Sequence, residues 1–363
     1  MKTERKQKLT LCILVLSCIC IHLFGYFPMA VEKGYANGFY PVFSRQLRFL
    51  TGWLPWSLGD VLYGLLAIWL VWKIFQFINW IYKKKWKGLP LAFYKATLLK
   101  GLMVLASIYI VFNVFWGINY DRMGIRWQLG LLPQKYTKAD LMEINDLLLT
   151  KLNNSKAYLV REQIKLPDVK GLAPDVKKAY REASYKFPFL KYQNASLKPG
   201  LWSIWQSYTG ITGYYNPFTG EAQVNKKIPA FLLPYTSCHE VAHQLGYAKE
   251  DEANFVGYLA AMASKDTLFH YSVYFDLFLY ANRNLYMLDS TAAKTISEKL
   301  NDGVRADIIT MRTYQQQYRS FLQPVIIWIY NQFLLGNRQP QGILSYDEVV
   351  GFIIAYHKKF KVI

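Results

Sequence analysis

Cysteine is scarce, with four in 363 residues. Cys12, Cys18 and Cys20 lie in the first apolar run and Cys238 stands alone in the remainder. The chain therefore has no disulfide framework, and residues 119–363 cannot hold an internal bridge. Acid is scarce too, at 24 Asp and Glu against 43 Lys and Arg, a formal charge of +19. Such a balance raises the question of nucleic acid, and its distribution answers it. Residues 1–118 carry 14 basic and 3 acidic residues around long apolar stretches, where Lys and Arg set membrane topology. The remaining excess is dispersed, as on solvated faces, with no recognisable nucleic-acid module, so no nucleic-acid partner is expected. No internal repeat or low-complexity tract interrupts the chain.

What is abundant is apolar surface, 53% of the residues, unevenly spread. Before about Asn119 it forms long runs; afterwards apolar and polar residues alternate as in a folded domain. This divides the chain into a membrane region, 1–118, and a domain, 119–363. Three spans are expected at about 9–27, 58–82 and 97–118. The first follows Lys2, Arg5, Lys6 and Lys8, and Gly25-Tyr26-Phe27-Pro28 is a poor cleavage context, so it reads as an uncleaved signal anchor. Pro28–Ser57 is left as the loop between the first two spans. The basic start and the hairpin Lys83-Lys84-Lys85-Trp86-Lys87 are placed in the cytoplasm, and an odd number of spans then puts the domain on the outer side.

The domain reads as α+β and mostly helical. Thr137 caps a helix with Leu141, Ile144, Leu147, Leu148 and Leu152 on one face, and Pro174–Tyr185 is a second helix. Ile211–Asn216 and Glu221–Asn225, joined by Pro217-Phe218-Thr219-Gly220, form a hairpin in a small sheet. Helices are then expected at Tyr235–Leu245, Asp251–Ser264, His270–Leu288, Gly303–Phe333 with a break near Pro324, and Tyr346–Lys358.

The chemistry centres on Cys238-His239-Glu240-Val241-Ala242-His243. On a helix, His239 and His243 project from one face one turn apart, the spacing that brings two imidazoles to one tetrahedral Zn2+. Glu240 can reach the open side of the cation and act as general base toward a water it acidifies. Gly246 lets the helix end. The third ligand comes from Glu250-Asp251-Glu252-Ala253-Asn254, since Glu250 and Asn254 share a helical face. Glu250 is preferred as ligand, Glu252 being the alternative about 200° around the helix; Asn254 supports the site and Asp251 compensates the helix dipole. Tyr214 and Tyr215 are candidates for the substrate cleft, and Tyr271, Tyr274, Tyr280, Arg283 and Tyr286 include candidates for stabilising an oxyanion. Cys238 reads as a buried small residue rather than a fourth ligand.

His239-Glu240-Val241-Ala242-His243 followed by Glu-x-x-x-Asn resembles the gluzincin pattern, at a shorter separation than is typical there. More closely, the chain resembles an uncharacterised bacterial membrane family, domain of unknown function 3810. The resemblance is carried by the three spans, Trp116–Tyr120, Pro217–Ala222, Cys238–Phe255 and Ser345–Val350. It implies a zincin-like fold and a bacterial membrane location; from the spans and the zinc motif, the partners expected are the bilayer of the inner membrane and an envelope or periplasmic peptide. The expectation is a membrane-anchored zinc metallopeptidase. Its rivals are a non-catalytic module with a structural or sensing zinc, and a zinc hydrolase of a non-protein envelope substrate.

Overall fold

A computed structural model describes residues 2–131, 136–339, 342 and 348–363. The first third contains α1 (Lys2–Phe24), α2 (Pro28–Ala30), a π-helical segment (Val31–Phe39), α3 (Tyr40–Thr51), α4 (Leu58–Tyr82) and α5 (Leu91–Phe115). Helices over Arg5–Phe24, Leu58–Tyr82 and Leu91–Phe115 are long and apolar enough to cross a bilayer, and their apolar windows are not buried inside the molecule. At a rise of about 1.5 Å per residue they match a hydrocarbon core of roughly 30 Å. They associate the chain with a membrane. The third begins at Leu91 and stops at Phe115, ahead of the expected 97–118. Trp116 leaves helical geometry at φ −155°, and Gly117–Asp121 turns as a 3-10 segment whose first four residues are buried.

The segment between the first two spans is not a loop. Val31, Tyr35 and Tyr40 pack with Trp116, Ile118 and Tyr120 in a small core of their own. Glu32 is buried and pairs with the equally buried Arg122 at 2.8 Å. Its carboxylate also accepts from the Gly124 backbone and from Asn37. The sequence concealed this because the segment's apolar residues are interrupted by Gly34, Asn37 and Gly38, and its one acid finds its partner 90 residues away.

The domain continues with α6 (Gly124–Leu129), α7 (Lys138–Arg161), α8 (Val169–Lys186), β1 (Leu197–Pro199), α9 (Ser203–Thr209), β2 (Gly213–Asn216) and β3 (Glu221–Val224). Then come α10 (Leu233–Gln244), α11 (Glu250–Met262), α12 (Thr267–Leu288), α13 (Ser290–Ser297), α14 (Asp302–Gln317), α15 (Leu322–Gly336) and α16 (Val349–Phe360). Thr137 caps α7 in a reciprocal box with Asp140, and Leu141, Ile144, Leu148 and Leu152 are buried against α12. The anticipated hairpin pairs β2 antiparallel to β3, Tyr214 opposite Gln223. β1 joins parallel on the other side of β3, so β2 is left at the sheet edge.

Differences lie mainly at helix ends. Asp266 caps α12 at its N-terminus, and α13, again capped by an Asp, was not anticipated. The long C-terminal helix breaks over 318–321, and Pro324 sits in the first turn of α15, where a missing N–H costs nothing. Of the helix expected at Tyr346–Lys358, α16 covers Val349 onward, while Ser345, Tyr346 and Asp347 lie outside the described residues. The fold as a whole is mostly helical, with a three-stranded sheet and α10 buried between β3, α8, α11 and α12.

Candidate metal centre

Every residue of α10 is buried, His239, Glu240 and His243 included. A helix so enclosed must be turned back abruptly, and Gly246 does this at φ +89°, where a Cβ would press on Tyr40 and Asn119 at 3.0 Å. Ser44 and Arg48 of α3 both donate to the Gln244 carbonyl, at 2.9 and 3.0 Å, and satisfy the helix end. The chain re-enters as α11, whose first residue is Glu250.

His239, His243 and Glu250 come together. Glu250 Oε2 stands 3.2 Å from His239 Nε2 and 3.6 Å from His243 Nε2. Each residue offers one donor atom, and the three donors lie within 4.8 Å of one another. Two ligands on a tetrahedral zinc at about 2.0–2.1 Å are separated by about 3.3–3.4 Å, so these two gaps bracket the spacing a zinc ion requires. Glu250 Oε2 is buried and makes no hydrogen bond.

The neighbours aim these atoms. His243 Nδ1 lies 2.7 Å from the Tyr247 carbonyl, so it carries the proton and Nε2 presents its lone pair. The Tyr330 hydroxyl donates to Glu250 Oε1 at 2.5 Å and leaves Oε2 for the cation. Burial lowers the His243 pKa, but the Glu250 carboxylate more than reverses this and lifts it to about 9. Burial raises Glu250, yet the two histidines pull it well below the usual carboxylate range. The cluster is thus built to attract positive charge.

Glu240 lies beside it, its Oε2 buried without a hydrogen bond. Burial raises its pKa to about 7 against the opposing pull of both histidines. β2 passes so close that a Cβ at Gly213 would lie 2.5 Å from Glu240 Oε1.

All of this opens into a cavity of about 630 Å³. Tyr214, Tyr215 and Asn254 line it. Tyr40 donates to the Tyr215 hydroxyl at 3.1 Å, and the Tyr214 hydroxyl donates to Asp60 at the head of α4. Tyr280 and Arg283 also reach the wall. Tyr271 instead donates to Asp307 at 2.5 Å, Tyr274 is buried in the core and Tyr286 is half exposed, so these three are not part of the site.

Glu252 is not in the donor cluster. Its carboxylate lies against the Gly124 turn, where the Ile125 backbone N–H donates to it. Cys238 is buried, with its carbonyl accepting from Tyr180, and burial pushes its thiol far up. Asp251 accepts from the Glu252 N–H in the first turn of α11.

Three contributions were missed. Trp116 packs edge-on against the His243 ring at 5.9 Å and on Tyr215 at 4.8 Å. Tyr330 arrives from α15, 80 residues beyond its partner, and no local pattern marks it. Asp276 lines the cavity from α12, where burial raises its pKa to about 7 against the pull of His239. An acid within Phe275-Asp276-Leu277-Phe278 of a buried helix was the available signal.

Comparison with curated proteins and with solved structures finds no match. The family model described as Protein of unknown function (DUF3810) matches residues 35–354, from the π-helical segment to α16. That stretch takes in the whole donor cluster and most of the chain, which therefore belongs to the DUF3810 family.

Proposed function

We propose that the chain is a zinc-dependent hydrolase of zincin-like design in the bacterial cytoplasmic membrane, and that it cleaves peptide bonds in envelope protein. The observation that carries this reading is the convergence of three donors, His239 Nε2, His243 Nε2 and Glu250 Oε2, the last two aimed by Tyr247 and Tyr330, beside a fourth buried group, Glu240, that is not needed to hold a cation. Zinc bound there would supply a Lewis acid that acidifies water and polarises a carbonyl. Glu240, buried beside the donors with an oxygen that makes no hydrogen bond, takes a proton from the attacking water and gives it to the departing amine. Asn254 lines the wall four residues beyond Glu250. Tyr214 and Tyr215 lie on the edge strand β2, whose free backbone edge suits an extended peptide.

A purely structural zinc closes its shell with four protein ligands and uses no general base. Among the described residues the donor group comprises three, and neither Cys238 nor Glu252 belongs to it. The basic flanks put the N-terminus in the cytoplasm and the site on the periplasmic or outer side. The test is to compare protein termini in cells carrying the wild type or Glu240→Gln at equal expression. Specific uncleaved envelope proteins should accumulate with the variant. Unchanged termini alongside altered wall or lipid products would reject the peptidase reading.

A further inference from the structure

α15 has no charged residue between Arg319 and Arg338, and Phe321 at its N-cap together with Val325, Trp328 and Ile329 expose 51–85% of their surface. Its 15 residues reach about 22 Å, too short for a hydrocarbon core of roughly 30 Å and too apolar for water. One end is tied beside the end of α1, and the other is tied, through α9, beside the second turn of α4. At one end Arg338 donates to the Gly25 carbonyl just past α1, stacks on Tyr26 and pairs with Asp121 at 3.0 Å. At the other, Ser320 donates to the carbonyl of Tyr208 in the last turn of α9. α9 is preceded by Trp202, whose ring lies where a Cβ on Gly64 of α4 would be, 2.7 Å away. In between, Phe333 packs on Phe112 of α5 at 5.9 Å.

The same helix walls the candidate metal centre. Its inner side carries Tyr330 to Glu250 and places Ile327 in the cavity, which Tyr63 of α4 and Phe112 of α5 also line. α1 packs along α5, whereas α4 makes no comparable contact with either among the described residues, so the cavity is walled by spans that do not pack along one another. We propose that α15 lies in the near leaflet as the lipid-facing wall of the site, and that the site takes its substrate from the bilayer. That substrate is a membrane-anchored polypeptide whose scissile bond adjoins its anchor. The substrate half rests on the hydrolytic reading above; the placement of α15 does not.

The full chain, with Cys12, Cys18 and Cys20 changed to serine and Cys238 to alanine, is placed in phosphatidylethanolamine–phosphatidylglycerol nanodiscs. Spin labels at Trp328→Cys and Ile329→Cys should collide with oxygen at least several-fold more than with a water-soluble nickel chelate, and a label at Tyr185→Cys the reverse. Nickel access at 328 and 329, or protection from both reagents by a covering protein copy, overturns the proposal. For the substrate, zinc-loaded Glu240→Gln protein is irradiated with a palmitoylated decapeptide library carrying a diazirine in the acyl chain. Adducts should map to Phe112 and Ile327 and fall at least tenfold in Ile327→Asp. Adducts confined to α1, or none, overturn it. If wild type holds the lipopeptide in the cavity but releases no product, the hydrolytic reading alone fails. If it cleaves palmitoylated and free peptides at equal rates, the membrane-anchored substrate alone fails.

Discussion

Replacing Tyr330 by Phe removes one hydroxyl and keeps the ring that packs on Phe333. The lost bond is the 2.5 Å donation to Glu250 Oε1. A hydrogen bond to an ionised carboxylate contributes about 1.5–3 kcal/mol, since its loss strands a buried charge-bearing oxygen. Converted at about 1.4 kcal/mol per decade, that is a weakening of zinc affinity by at most about 10–150-fold, an upper bound because the zinc-free protein makes the same bond. The span agrees with the roughly 10–100-fold typical when a group orienting a metal ligand is removed. The assay is competition for zinc against a chromophoric chelator at pH 7, on full-length protein in detergent. Melting of the zinc-free forms runs in parallel, and these should differ by only a few degrees, because Tyr330 ties α15 to Glu250 and not to the core. An affinity within twofold of wild type would refute the assignment of Glu250 Oε2 as a ligand aimed by Tyr330.

Arg122→Ala strands the buried Glu32 carboxylate and should cost about 3–5 kcal/mol, read as a melting temperature lower by about 6–20 °C. Burial raises the Glu32 pKa, but the Arg122 side chain and the Gly124 N–H overcome this and hold it below its ordinary value. Its stabilisation is therefore complete above the unfolded pKa of about 4.3 and is lost as pH falls through the depressed folded value. The melting temperature should drop on acidification below about pH 4, and less so in Glu32→Gln. Gly213→Ala should retain zinc by elemental analysis, yet lower turnover of any peptide the wild type cleaves by at least tenfold, because a Cβ there displaces Glu240. Alkaline phosphatase fused after Ile363 should be active and a green fluorescent protein dark; the opposite pair would invert the topology.

The legible parts of this fold are those fixed by local chemistry. Long apolar runs marked all three spans, a Thr137–Asp140 box opened α7, and the Pro217–Gly220 link turned a hairpin. His239 and His243 share a face because helical geometry requires it, and Glu250 reaches them because Gly246 turns the chain within six residues. What was not legible is fixed by long-range packing. Residues 31–57 looked like a loop because Glu32 and Arg48 are completed by partners distant in sequence, Arg122 and Gln244. Tyr330 orients the cluster from an expected helix and Trp116 flanks it from the end of an expected span, neither with a local pattern that marks it. α15 was expected only as the end of a helix over Gly303–Phe333, and its placement beside the spans depends on Arg338 meeting the end of α1 and on α9, whose preceding Trp202 meets Gly64 of α4.

The central claim is that His239, His243 and Glu250 hold a zinc ion. The most direct measurement is the metal content of the full chain, purified in detergent and freed of loosely bound ions, by inductively coupled plasma mass spectrometry. About one zinc per chain is expected, retained in Glu240→Gln and lost in His239→Ala and His243→Ala. A folded wild-type protein without a stoichiometric transition metal, or one whose zinc survives both histidine substitutions, would contradict it.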